Sequence, residues 1–98
     1  MARYQILYWK DLPAQVKASD EEGNRAKALL PDRFSEAIDA AAMAEGSTES
    51  SAYLDGWEWG SAEEREGMAQ EVVDSLIAEL NANYPQSRLR EMIRNSKA

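Results

Sequence analysis

The stretch Arg3-Tyr4-Gln5-Ile6-Leu7-Tyr8-Trp9-Lys10, followed by Asp11-Leu12-Pro13 and then Ala14-Gln15-Val16-Lys17-Ala18, decides the fold. Its first part is dense in Ile, Leu, Tyr and Trp, the composition of a strand. Asp11 and Pro13 favour a turn, and Pro13 has no N–H to give to a ladder. The second part resumes an apolar/polar alternation, so the two runs read as a β-hairpin. Successive side chains of a strand point to opposite faces. If Tyr4, Ile6 and Tyr8 face a covering layer, then Arg3, Gln5, Leu7 and Trp9 face away from it, beside Gln15 and Lys17. A one-residue shift would invert every assignment.

Downstream of the hairpin, Ser19 to Arg25 is polar and contains Gly23, which reads as a loop. Arg25 to Leu30 suits a short helical turn. A first helix is predicted over 31–45. Pro31 fits its first turn, and Phe34, Ala37, Ile38, Ala41 and Ala42 form a stripe at helical spacing. Gly46 is a natural stop, and 47–51 read as a polar loop. Ala52 to Trp59 reads as a third strand, with a bulge at Asp55-Gly56 that puts Leu54 on a face with Trp57 and Trp59. Ser61 with Glu64 three residues on has the capping-box pattern. It predicts a second helix over 62–83, with a stripe of Met68, Ala69, Val72, Val73, Leu76, Ile77 and Leu80, of which Val72, Leu76 and Leu80 are core. Gln86 to Asn95 suits a short helix with Leu89, Met92 and Ile93 on one side.

The expected fold class is α+β in the order β-β-α-β-α. It has a three-stranded sheet, spatial order 2-1-3, with helices on one face. A right-handed crossover through helix one brings strand three beside strand one. Strand two is then a sheet edge, and Lys17 guards it against stray pairing. Residues 1–84 form a single domain. Residues 85–98 are a basic helical extension, docked on the body or on a second copy, whose removal is expected to leave the fold intact.

Composition narrows the chemistry. The 98 residues include neither Cys nor His. Disulfides, thiolate nucleophiles, imidazole bases and the usual zinc or transition-metal ligand sets are therefore out of reach. No cofactor is expected, and the chain is not read as an enzyme. A net charge of −7 repels phosphate backbones and argues against nucleic acid as a partner. The first run is too short and too polar for a signal peptide or membrane span, so a cytoplasmic location without membrane association is expected. Charge is uneven: 85–98 carry Arg88, Arg90, Arg94 and Lys97 against Glu91. The Asp55/Glu58 pair reads as a bulge residue beside a solvated one. Glu63, Glu64 and Glu66 read as acids complementing a helix N-terminus.

Three blocks carry a resemblance: YQILYWKDLPAQVKA at 4–18, LPDRFSEAIDAAAM at 30–43 and AYLDGWEWG at 52–60. Together they resemble the small bacterial virulence factor domain, over roughly residues 3–80. The same blocks are similar to the C-terminal part of conserved virulence factor C-like proteins, where the domain follows HEAT-like repeats. The resemblance implies assembly work and no defined reaction or catalytic residues. It also implies an alternative, an accessory subunit of a one-carbon or corrinoid methyl-transfer system.

The surface expected to carry function is the helix-free sheet face. Its expected members are Arg3, Gln5, Leu7 and Trp9 from strand one, Gln15 and Lys17 from strand two, and Tyr53 and Asp55 from strand three. Aromatic and aliphatic anchors ringed by polar groups suit a protein interface. The partner is a protein or a second copy, with Trp9 as the anchor.

Overall fold

The computed structural model describes residues 1–44, 46 and 50–95, with the backbone alone at 50–52. It is an α+β fold in which β1 (Ala2–Trp9) and β2 (Leu12–Asp20) form the hairpin. The turn is shorter than expected. It is made by Lys10, at φ 54°, and Asp11, so Leu12 and Pro13 are buried strand residues. Register places Ile6 opposite Val16 and Tyr8 opposite Pro13, which leaves Ala14 as a bulge residue in β2.

β3 (Arg25–Leu29) corrects two expectations. Arg-Ala-Lys-Ala-Leu is no helical turn. It pairs antiparallel with β2 from Ser19↔Arg25 to Gln15↔Leu29, so β2 lies inside the sheet and β3 is the edge. Local propensity loses here because pairing satisfies the backbone groups of β2 that would otherwise be unpaired.

α1 (Asp32–Ala44) carries the expected stripe, with Phe34, Ala37, Ile38, Ala41 and Ala42 buried. Its predicted end at Glu45, the loop residues 47–49 and Lys97 lie outside the described residues. A helix, α2 (Ser50–Asp55), then stands where most of the third strand was expected. Strand structure is confined to β4 (Trp57–Trp59). Leu54 is consequently an exposed helical residue and shares no face with the tryptophans. Asp55-Gly56 is a helix end and not a bulge.

β4 lies antiparallel to β1, with Trp59 opposite Leu7 and Trp57 opposite Trp9. β5 (Glu63–Arg65) continues along the same edge of β1, with Glu63 opposite Tyr4 and Arg65 opposite Ala2. The register differs by one residue between the two, so 57–65 is one edge strand interrupted by a bulge at 60–62. Gly60 donates its N–H to the Ile6 carbonyl, and Gln5 Nε2 donates to the Gly60 carbonyl. The sheet is therefore five-stranded, β3-β2-β1-β4 with β5 beside β1, rather than three-stranded in the order 2-1-3.

The second predicted helix starts late. α3 spans Ala69–Asn83 and not 62–83, which leaves Met68 of the expected stripe exposed at the N-cap. Gly67, at φ 122°, sits in a region that L side chains rarely enter, which separates β5 from the helix. Ser61 and Glu64 do not cap it. Glu71 Oε1 accepts the Met68 N–H, and Asp20 Oδ2 accepts the Ala69 N–H. At the other end, Arg33 donates to the Asn81 and Tyr84 carbonyls, and Arg88 donates to the Asn83 carbonyl. Two anions thus sit at the positive end of α3 and two cations at its negative end, the favourable sense for the helix dipole.

α3 lies across β1, β2 and β3. It buries Val72, Val73 and Leu76 in one cluster with Ala2, Val16 and Ala18 of the sheet. α4 (Gln86–Asn95) packs on α1. Leu89 is fully buried there, with Met92 and Ile93 against the same core. The last helix docks on the body of its own chain. No helix among the described residues is long and apolar enough to cross a membrane.

Candidate protein-interaction face

The face opposite α3 is built by register. Ala2, Val16 and Ala18 are buried, with Tyr4, Ile6, Ala26 and Ala28 packed against the core. Strand alternation then turns the intervening residues outward. They form three cross-strand rows: Arg3-Ser19-Arg25, Gln5-Lys17-Lys27 and Leu7-Gln15-Leu29. Trp59 extends the last row, and Glu64 the first.

Arg3, Lys17, Ser19, Arg25 and Lys27 are exposed, while Gln5, Leu7 and Gln15 are half-buried. Leu29 is 74% exposed. A shallow depression of ≈ 550 Å³ lies between Arg3, Lys17, Arg25 and Lys27. Lys17 Nζ stands 4.1 Å from the centroid of the Trp59 ring, a cation–π contact that lays the lysine stem across the sheet.

Five of the eight residues expected on this face share it: Arg3, Gln5, Leu7, Gln15 and Lys17. Trp9 does not. It is 1% exposed, its indole N–H donates to the Tyr53 carbonyl at 2.8 Å, and its ring stacks on Tyr53 at 6.0 Å. An indole with its one donor satisfied is better buried than exposed. Tyr53 belongs to α2 and also meets Trp57 edge-on at 5.9 Å. Asp55 is exposed at the end of the same helix. Neither lies on a strand, so neither joins the rows.

Arg25, Lys27, Leu29, Trp59, Ser19 and Glu64 are the residues that sequence reasoning did not place here. The first three were hidden by reading 25–30 as a helical turn. The available signal was the alternation Arg-Ala-Lys-Ala-Leu immediately after a glycine turn. The exposed aromatic is Trp59, at 37%, and not Trp9.

The acidic candidates disperse. Glu63 accepts the Tyr4 hydroxyl at 2.9 Å. This contact, with some desolvation, raises the Tyr4 pKa above its ordinary 10.0. Arg65, next but one on β5, pairs with Glu79 of α3 through both terminal guanidinium nitrogens. Glu64 points to the opposite side of β5 from both. No three acids converge on a common metal position among the described residues. Asp55 and Glu58 fall on different elements, α2 and β4.

The sequence matches the family model described as virulence factor over residues 7–93. The match runs past residue 80, where the resemblance was expected to end, and takes in most of α4. No curated protein and no solved structure is significantly similar to the chain. With nearly its whole length matched, the chain belongs to the virulence factor family.

Proposed function

We propose that this member of the family is a non-catalytic protein-binding module that engages its partner through the open face of the sheet. The supporting observation is the three-row surface itself. It combines exposed basic side chains, the half-buried Leu7, and Leu29 and Trp59 at its rim. Apolar anchors within a polar, charged surround are the composition of a protein interface. The absence of Cys and His supports a binding role over nucleophilic or imidazole-based catalysis.

The test is affinity purification from the encoding organism with three baits: wild type, a Lys17→Glu/Leu29→Asp double variant, and Glu36→Lys on the exposed side of α1. All three should give the same far-UV circular dichroism. A protein retained by wild type and Glu36→Lys and lost by the double variant supports the face. Retention by all three places the binding surface elsewhere. Subunits of a methyl-transfer system among the retained proteins would favour the accessory-subunit alternative on the same face.

A further inference from the structure

We propose, resting on that reading of the sheet face, that the outer edge of β3 takes an extended acidic segment of a partner protein as an added strand.

The phase of the ladder defines the edge. Leu30 donates its N–H to the Ala14 carbonyl, and Asp20 donates to the Asn24 carbonyl, closing the two ends of the β2–β3 pair. Hydrogen-bonded and non-hydrogen-bonded pairs alternate in an antiparallel ladder. Ala26 and Ala28 therefore bond inward to β2. Arg25, Lys27 and Leu29 turn their N–H and C=O groups to the outer edge. The same three residues carry their side chains on the open face, and all three are exposed. β3 is the terminal strand of the sheet on this side, so the edge is a template for main-chain pairing.

Charge selects the occupant. The chain carries −7 overall, yet the strand residues of this face hold four cations, Arg3, Lys17, Arg25 and Lys27, against Glu64 at the far rim. Lys17 and Lys27 stand directly opposite each other, an arrangement that like-charge repulsion disfavours. Lys17 leans towards Trp59. A strand laid beside β3 places its alternate side chains against Arg25, Lys27 and Leu29. Acidic residues beside the first two and an apolar one beside Leu29 complement the row and relieve the lysine pair.

A second copy fits poorly. Antiparallel pairing of two β3 edges about Lys27 sets Lys27 against Lys27 and Arg25 against Leu29, and supplies no anion. A nucleic acid strand offers anions but cannot complete a peptide ladder.

The experiment is amide hydrogen exchange by NMR on the full chain, with and without a blocked peptide of about six residues alternating Glu and Thr, a common strand length. A Lys/Thr peptide and a short thymidine oligonucleotide serve as controls. The expected result is slowed exchange at the Arg25, Lys27 and Leu29 amides with the Glu/Thr peptide alone. Arg25→Glu/Lys27→Glu should weaken that binding by about tenfold or more through lost charge complementarity. Lys27→Pro should abolish it, because it removes an outward N–H that the β2 ladder does not use.

Shifts at Arg3 and Lys17 with unchanged exchange at the three edge amides would overturn strand addition and leave the sheet-face reading standing. Equal binding of the Lys/Thr peptide, or no binding of the Glu/Thr peptide, would overturn the proposal as well. Binding of the oligonucleotide alone would overturn both readings.

Discussion

Asp20 Oδ2 accepts the backbone N–H of Ala69 at 3.0 Å, so the last residue of β2 caps a helix that starts 49 residues later in the chain. Its other oxygen accepts the N–H groups of Glu22 and Asn24 at 3.0 Å each. One carboxylate thus orders its own turn and satisfies an orphan donor at the start of α3.

That contact makes stability depend on acid. The Ala69 N–H, followed by the Asn24 and Glu22 contacts, holds the Asp20 pKa below its ordinary 3.8. The folded state therefore binds this proton less readily than the unfolded chain. Its stabilisation is complete above the ordinary value and is lost as pH falls through the depressed one. Asp20→Asn should lower the melting temperature at neutral pH and flatten the acid limb of a melting-temperature profile. An unchanged acid limb would show that the cap contributes nothing.

Leu89 tests whether α4 belongs to the core. The residue is fully buried, and truncating a buried leucine typically costs about 2–5 kcal/mol. Leu89→Ala should fall in that range by chemical denaturation, as should Leu76→Ala in α3. A cost under about 1 kcal/mol for Leu89 would mark α4 as a loosely attached extension.

Gly56 is set by a neighbour. A Cβ built there would meet the Trp9 indole Nε1 at 2.5 Å, and this edge of the ring is held by the bond to Tyr53. Gly56→Ala should destabilise by about 1–3 kcal/mol, the usual cost of overpacking a fixed site. Gly23→Ala is the comparison. Open space surrounds its Cβ and only its φ of 87° resists, so backbone strain alone sets its cost.

Tyr4 reports on the bulged edge strand. The Glu63 carboxylate accepts its hydroxyl and raises its pKa above the ordinary 10.0. Glu63→Gln should bring one of the four tyrosines to a lower pH in a spectrophotometric titration. In the wild type, this contact is fully present below the ordinary tyrosine value and is lost as pH rises through the raised one. No change on substitution would show that Glu63 does not hold the Tyr4 hydroxyl.

The sequence by itself determined the elements whose apolar spacing is strong and whose ends are marked. The hairpin, α1 and the apolar stripe of α3 each carry a complete period, and the quoted blocks placed the family. Alternation also brought Arg3, Gln5, Leu7, Gln15 and Lys17 to one face. Tertiary structure decided the rest, because the deciding partners are remote. β3 is built from helix-forming residues and exists because β2 offers an unpaired edge. The capping pattern at Ser61 is overridden where β1 takes 63–65 as a strand and Asp20 starts α3 at Ala69; Gly67 was the local sign. Trp9 follows strand alternation outward in the sequence, yet α2 supplies a carbonyl and a ring that bury it. The basic face is invisible in a net charge of −7. Its four cations come from three strands, and only the pairing register sets them in adjacent rows.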